Sequence, residues 1–577
     1  MSTTSGSLIT RNYTKFIGVD FSSRKDEVSI NRSPDALNVW KNYKSTYGRC
    51  IETRPDIELI ESFENTIYGI FFYTINTVEH MIVHSGTSLY DVDLSDNTKK
   101  VIKSEGMKPA RSKAFVSNNI FFIKDGLNYL EYDGETLKNV EGTIPTTFIS
   151  MRPSGGGTPY QDHNMLSASE INSFVADGES TDYKLNDKEI TSVDKVWVND
   201  VLKSVTDDYT VDLTLGKVIF KIAPEKPDTT GQDNVKIQYT KNSQSKADRI
   251  KKCSLLTVFD DRIFFSGNVD YPNYIFHSEF NGITGIADPR YASDTDYYSE
   301  GIDMSAVKSM VAGNNALWVF KEPSQANTSI FYHIPNDTYN ENVGENQRSY
   351  PSSHSSISTG CVGSAINFND DIVYFSARGM EGMATTDVTT EQLLAHRSTL
   401  IDNKLLNEKN YKNMILEEWE GYLLVIIGNH IYLADSQSDM KYEWFYWELD
   451  INVSCTSVKD GVLYLCGDNN IYTLTKTDTN INSYWTTLED EFGYPQYQKT
   501  TNKKGCVVDV EGDITLSVKT DNNDFETIKS FKNTKGYVVN TKKKKKWKSI
   551  QMKFSSNKPF SLYSSTLEAF VGGYIKR

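Results

Sequence analysis

Along this chain a short polar turn recurs, each time followed by about five β-branched, aromatic or aliphatic residues. The phrase reads VSNNIFFI at 116–123, VFDDRIFFSG at 258–267 and VAGNNALWVF at 311–320. It returns as NFNDDIVYFSA at 367–377, EEWEGYLLVII at 417–427 and SVKDGVLYLCG at 457–467. Asn-Asn, Asp-Asp and Asp-Gly pairs tolerate the positive φ of a hairpin tip, and the apolar runs after them suit buried strands. From the third phrase on, the spacing is about 40–55 residues, the period of a β-propeller blade. A second echo (LYDVD, YLEYD, IYLAD, IYTLT) marks the outer half of each repeat.

The period fails in three places. The first stretch, to about residue 60, is extended and polar, with Pro34 and Pro55 as punctuation. Between about 150 and 245, RPSGGGTPYQDHN leads into alternating segments (YKLND, KVWVND, YTVDLTLGKVIF, NVKIQYTK), with Leu215-Gly216 as a hairpin turn between Val211 and Phe220. Insertion in an exposed loop disturbs no core hydrogen bonding. The last 80 or so residues alternate again. The expected fold is all-β: a β-propeller of six or seven blades with an inserted small β-sandwich and a C-terminal β-sandwich. The divisions are an extended N-terminal segment (1–60), first blades (61–148), inserted sandwich (165–243), remaining blades (246–490) and a basic C-terminal sandwich (499–577). One helix is expected, TTEQLLAHRSTLIDNKLL at 389–406, N-capped by Thr390, with Leu393, Leu394, Ile401 and Leu405 at near-helical spacing.

Composition sharpens this picture. The 34 tyrosines suit half-buried strands packed on neighbouring sheets. Net charge is −15, but from Lys499 onward 17 basic face 7 acidic residues, so the first 498 residues carry −25. Such asymmetry marks a module with its own partner. Six cysteines (Cys50, Cys253, Cys361, Cys455, Cys466, Cys506) lack the clustered spacing of a metal site and read as reduced, mostly strand residues. There is no run of 18 apolar residues to cross a membrane. MSTTSGSLITRNYTKF lacks the apolar core of a secretory signal, so a soluble chain made in a cytoplasm is expected.

Catalytic constellations are scarce. GxSxG, Walker, GxGxxG-before-helix and HExxH patterns are missing, so no catalytic, cofactor or metal residue is assigned. His80 and His84 lie on a strand and read as polar-face histidines. RPSGGGTPY lacks the Lys-Ser/Thr and helix of a phosphate loop and reads as a linker. A glycosidase needs two facing carboxylates, whereas Asp260, Asp261, Asp370, Asp371 and Asp460 fall where turns favour Asp. KYEWFYWELD (441–450) reads as a strand packed on both faces. The sharpest local feature is KKKKKWK: Lys542, Lys543, Lys544, Lys545, Lys546 and Lys548. One reading is a contact with nucleic acid or an acidic partner. The other is a solvated hairpin loop before the strand that begins at Trp547.

Two segments resemble a known family. The first carries Phe16, Gly18, Val19 and Asp20, then Ser33, Pro34, Asp35, Ala36 and Asn38, then Gly48 and Arg49. The second is DDRIFFSGNVDYPNYIFHSE at 260–279. Both are similar to tailed-bacteriophage tail hub or nozzle proteins, also described as packaged-DNA stabilisation proteins, over about residues 10–470. The resemblance implies a non-enzymatic virion protein without cofactor, made in the bacterial host cytoplasm. Its expected partners are copies of itself in a ring (a hexamer in short-tailed phages), the portal and adaptor or other tail proteins, and double-stranded DNA in transit. Phe16, Asp20, Pro34, Asp35 and Asn38 then belong to a segment that closes the propeller or reaches a neighbouring subunit. The basic C-terminal block departs from the family pattern. The alternative is a tail-tip or baseplate propeller that binds or degrades a host surface glycan.

Overall fold

The fold is described from a computed structural model, which covers residues 7–574 apart from 46–49, 76, 97, 282–285, 341–344, 356, 387–388, 438–441, 477–479, 533–536 and 540–544. It is all-β, built from many small sheets, and divides into two compact units: Phe71–Gly360, and Met1–Ile70 with Cys361–Arg577. The recurrent turns explain the sheets. Consecutive positive φ angles occur at Asn118-Asn119, Asp260-Asp261, Asn314-Asn315, Asn369-Asp370, Glu420-Gly421 and Asp460-Gly461. Two left-handed residues in a row match the right-handed twist of the flanking strands, so each pair closes a tight hairpin.

Among the described residues seven four-stranded antiparallel meanders result. In chain order they span 67–103, 113–139, 255–299, 307–354, 361–396, 415–448 and 453–476. The seventh has only three strands of its own, and its fourth is Asp56–Ser62, paired with Asn470–Lys476. The second strands are the apolar runs, for example Tyr422–Ile427, all six residues buried. KYEWFYWELD yields the strand Glu443–Glu448, with Trp444, Phe445, Tyr446 and Trp447 all buried.

The third strand of six meanders carries a buried ionisable side chain: Asp91, Glu131, His277, His333, Glu381 and Asp435. Each has an opposite partner: His80 at 3.0 Å, Arg290 at 2.8 Å, Asp296 at 3.9 Å, Glu300 at 3.1 Å, Arg378 at 3.0 Å and Lys41 at 3.9 Å. Burying an ionisable or polar group is costly unless it has a partner, so each pair restricts which register its strands can adopt.

Two sandwiches accompany the meanders. In the first unit, one sheet runs Thr158–Pro159, Thr146–Met151, Ser169–Phe174, Val235–Thr240, Ser192–Val198, Val201–Leu202, and a second runs Asp182–Lys184, Lys217–Phe220, Tyr209–Asp212. They enclose a separate core that includes Phe174, Tyr183, Val196, Phe220, Ile237 and Tyr239.

The C-terminal sandwich reaches beyond 499–577. Its five-stranded sheet starts with Ala36–Leu37 and Ser483–Thr486 before Ile550–Ser556, Ile514–Thr520 and Glu526–Phe531. The facing sheet joins Leu8–Tyr13 and Ile51–Thr53 to the long strand Phe560–Tyr574.

The helix expected over 389–406 is incorrect. Thr389–His396 is instead the fourth strand of the fifth meander, paired with Gly379–Thr386, and only Asp402–Leu405 is helical. Thr390 therefore caps nothing. Completing a hydrogen-bonded sheet outweighs a helical spacing of leucines, because tertiary context overrides weak local propensity. Ile401 and Leu405 do face the core.

Candidate functional site

The residues of the N-terminal resemblance build a clamp inside the second unit. The backbone N–H of Val19 donates to the Trp444 carbonyl at 2.7 Å. Gly18, at φ +90°, passes so close that a Cβ would lie 2.3 Å from that same oxygen, so only glycine fits. Phe16 is buried edge-on against Trp485, ring centroids 5.4 Å apart. The Asp20 carboxylate accepts from the backbone N–H groups of Ser22 and Ser23 at 3.2 and 2.9 Å.

Next, the Ser33 hydroxyl donates to the Thr486 carbonyl at 2.7 Å, Pro34 is buried, and exposed Asp35 accepts from the Tyr484 hydroxyl at 3.0 Å. Asn38, at φ 55°, uses its whole side chain. Its Nδ2 donates to the Asn482 carbonyl at 2.9 Å, while its Oδ1 accepts from Arg54 Nε at 3.0 Å and from the Glu448 N–H at 2.9 Å. These residues thus lock the strand Glu443–Glu448 of the sixth meander to Ser483–Thr486 of the C-terminal sandwich. All five positions expected to close the fold or reach a neighbour make their contacts, or lie buried, within their own chain.

A buried ionic knot lies beside this clamp. Lys41 pairs with Glu443, its carbonyl accepts from the Tyr422 hydroxyl at 2.7 Å, and Tyr43 donates to Asp435. Burial raises the Asp435 carboxyl above its ordinary value, against the pull of these donors. Trp40 extends the knot into an aromatic cluster, stacked on Trp419 at 5.4 Å and edge-on to Trp447 at 5.5 Å.

A cavity of about 470 Å³ opens here, walled by Trp40, Trp419, Phe560, Glu52, Thr53 and Glu511. Trp40 and Trp419 stack one face on each other, and the cavity is lined by these rings together with carboxylates and hydroxyls.

Of the lysine run, Lys542, Lys543 and Lys544 lie outside the described residues. Lys545 belongs to the short strand Lys545–Trp547, while Lys546 and Lys548 are exposed. The run's described end therefore enters the sandwich at Trp547, which is buried against Phe492, 5.7 Å between centroids.

A strongly perturbed carboxyl sits in the third meander. Burial and a hydrogen bond with Glu279 push the Asp296 carboxyl up to about 10, while Glu279 is held below its ordinary value by that bond and by His277 and Arg262, against burial. The two carboxyls titrate as a pair that shares one proton. Burial brings His277 down to about 4, so it stays neutral. The segment ending at Asp296 grips the neck of the inserted sandwich. Ala292 N–H donates to Asn164 Oδ1 at 3.1 Å, Asp294 N–H to the His163 carbonyl at 2.9 Å, and the Tyr291 hydroxyl to the Asp162 carbonyl at 2.8 Å. The geometry can hold a proton and brace the neck of the inserted sandwich. Among the described residues no group of three or more His, Cys, Asp or Glu could hold a metal ion.

His80 and His84 share the strand Val78–Ser85, where His80 pairs with Asp91 and His84 bonds Ser112 at 3.1 Å. Sequence reasoning missed the proton pair and the buried partner of each third strand. The signal was present in the LYDVD, YLEYD and IYLAD echoes, whose acidic positions Asp91, Glu131 and Asp435 are the buried ones.

No protein-family model matches this chain, and no curated protein matches its sequence. Among solved structures, BBS1N in complex with ARL6DN aligns at 9% identity and TM-score 0.24, covering 74% of this chain and 97% of the other. The extracellular domain of the putative one-component system BT4673 from B. thetaiotaomicron aligns at 8% identity and TM-score 0.25, covering 90% and 78%. No helix is long and apolar enough to cross a membrane.

Proposed function

We propose that this chain is a structural protein of a tailed-phage virion, part of the tail hub or nozzle ring below the portal and adaptor, retaining packaged DNA and conducting it during ejection. On this reading the seven meanders are the blades of one propeller, with Asp56–Ser62 completing the last. The observation that carries the proposal is the clamp. The residues that resemble the phage proteins, Phe16 to Asn38, are the ones that tie meander to sandwich, as expected of a motif kept for architecture rather than chemistry. Charge supports it too: a −25 balance over residues 1–498 opposes adhesion of a sliding polyanion. Ionisable side chains buried with a partner on six third strands suit a part that must keep its shape under load.

Cryo-electron microscopy of the parent virion tests the proposal. A ring of this chain coaxial with the portal is expected, and density at fibres or baseplate periphery overturns it. The lysine run is tested separately by DNA binding against salt. If Lys546 and Lys548 meet phosphates, replacing both with Gln lowers the slope of log affinity on log salt by about 2. An unchanged slope leaves them as a solvated loop.

The alternative, a glycan-binding propeller, is favoured by one observation: the 470 Å³ cavity with Glu52, Glu511, Thr53 and Ser561 among its walls. Glutamine at both Glu52 and Glu511 abolishing retention on host polysaccharide is the outcome that reading requires.

A further inference from the structure

We propose that Cys455 and Cys466 form a redox-sensitive dithiol, a latent cross-strand disulfide in the seventh meander. The two cysteines are directly opposite each other in the antiparallel pair Val453–Lys459 and Val462–Gly467. Opposed residues share a sheet face with Cα atoms about 4.5–5.5 Å apart, inside the range of about 4.4–6.8 Å that a disulfide spans. Among the described strands no other two cysteines are so opposed.

The reduced pair has its own contacts. The thiols are hydrogen-bonded to each other, which together with burial raises Cys466 well above the ordinary thiol value. Cys455 Sγ also donates to the Ile67 carbonyl at 3.6 Å, and Ser454, the extra residue of a bulge, donates to the same oxygen at 2.6 Å. This bulge turns the Cys455 side of the strand toward Ile67, just beyond the closing strand Asp56–Ser62.

The step balances with a small disulfide as oxidant. One cysteine thiolate attacks it, forming a mixed disulfide and releasing one small thiol. The second cysteine then attacks its neighbour's sulfur, the S–S bond forms, and the second small thiol leaves with the remaining proton. Two cysteine thiols are oxidised and one small disulfide is reduced. The Cys455 contact with Ile67 is lost, and the first two strands of the seventh meander become covalently joined. Because both thiols are buried and Cys466 is rarely ionised, reaction awaits local opening of this meander. The site is therefore protected in a reducing cytoplasm and closes when the opened chain meets an oxidant. This inference is independent of the assembly role proposed above.

The test uses the full native chain incubated with cystamine, followed by thiol counting and non-reducing tryptic mapping. Six titratable thiols should fall to four, with the peptides holding Cys455 and Cys466 joined and about 2 Da lost relative to the reduced pair. In Cys466→Ser, Cys455 should instead retain a cysteamine adduct that cannot resolve, which separates a true pair from two slow independent thiols. Persistence of all six thiols under conditions that consume those of the urea-unfolded chain overturns the proposal. So does a pairing of Cys455 or Cys466 with any other cysteine, or cysteamine adducts retained on both in the native chain.

Discussion

The inserted sandwich and the C-terminal sandwich are both two-sheet β-structures, yet they close in opposite ways. The insert draws every strand from 146–240 and encloses its own core. The C-terminal sandwich is incomplete without Leu8–Tyr13, Ala36–Leu37 and Ile51–Thr53, whose partners lie in Phe560–Tyr574 and Ser483–Thr486. Its core is continuous with that of the fifth, sixth and seventh meanders. A module that is local in sequence can be inserted, lost or mutated by itself. One that needs both chain ends makes its stability a property of the whole unit, and it pays loop-closure entropy before any contact rewards it.

The largest break comes from deleting residues 1–62. That removes the sandwich's N-terminal strands and the fourth strand of the seventh meander, so 361–577 should lose its cooperative urea transition in tryptophan fluorescence. The insert should remain resistant to limited proteolysis.

Core truncations come next. Trp485→Ala should cost about 3–5 kcal/mol and weaken the second unit as a whole. Phe220→Ala, of similar cost, should expose only 146–240 to protease. Urea titration with mapped cleavage sites separates the two, and coincident loss in both variants would show that the insert has no independent core.

Glycines give a smaller contrast. Gly18→Ala drives a Cβ into the Trp444 carbonyl at positive φ and should cost about 2–4 kcal/mol. Gly156→Ala, also at positive φ but with nothing within 4 Å, should cost only about 1 kcal/mol. Equal urea midpoints for the two variants would remove the clamp from the argument.

The smallest effect, at the insert's neck, depends on pH. The Asp296 carboxyl is raised from its ordinary value to about 10. The stability due to its proton is therefore complete below about pH 4 and fades as pH climbs toward 10. Asp296→Asn keeps a neutral side chain without needing that proton. It should be close to wild type at pH 4.5 and become progressively more stable than wild type as the pH rises to 9, read as a urea midpoint shift. A loss that grows with pH would mean that Asp296 works ionised.

The same contrast governs what could be read from sequence. Asn118-Asn119 or Asp460-Gly461 announce a hairpin because turn and partner strand lie within ten or so residues. The alternating segments of the insert, with Gly216 at the expected turn and φ 61°, are legible for the same reason. The N-terminal strands were not: Ala36–Leu37 and Val39–Trp40 are two residues each, the first paired with Ser483–Thr486 hundreds of positions away and the second with Ile51–Thr53, itself held by Phe560–Tyr574. The leucines of 389–396 misled because helical spacing and a fourth strand are both compatible with that short stretch, and only the pairing with Gly379–Thr386 decides between them. The proton pair was hidden because Glu279 and Asp296 are separated by a loop whose course the local sequence does not encode.

The borrowed fourth strand of the seventh meander has a consequence for synthesis. Asp56–Ser62 leaves the ribosome about 400 residues before Asn470–Lys476, a wait of roughly 20–80 s at elongation rates of about 5–20 residues per second. During that interval its ladder partner has not been made, and Asp56, Glu58 and Glu61 give it the charge that discourages pairing with another chain's edge. Synthesis of the strands Asn470–Lys476 and Phe560–Tyr574, rather than any early folding event, thus sets the moment at which the second unit becomes whole.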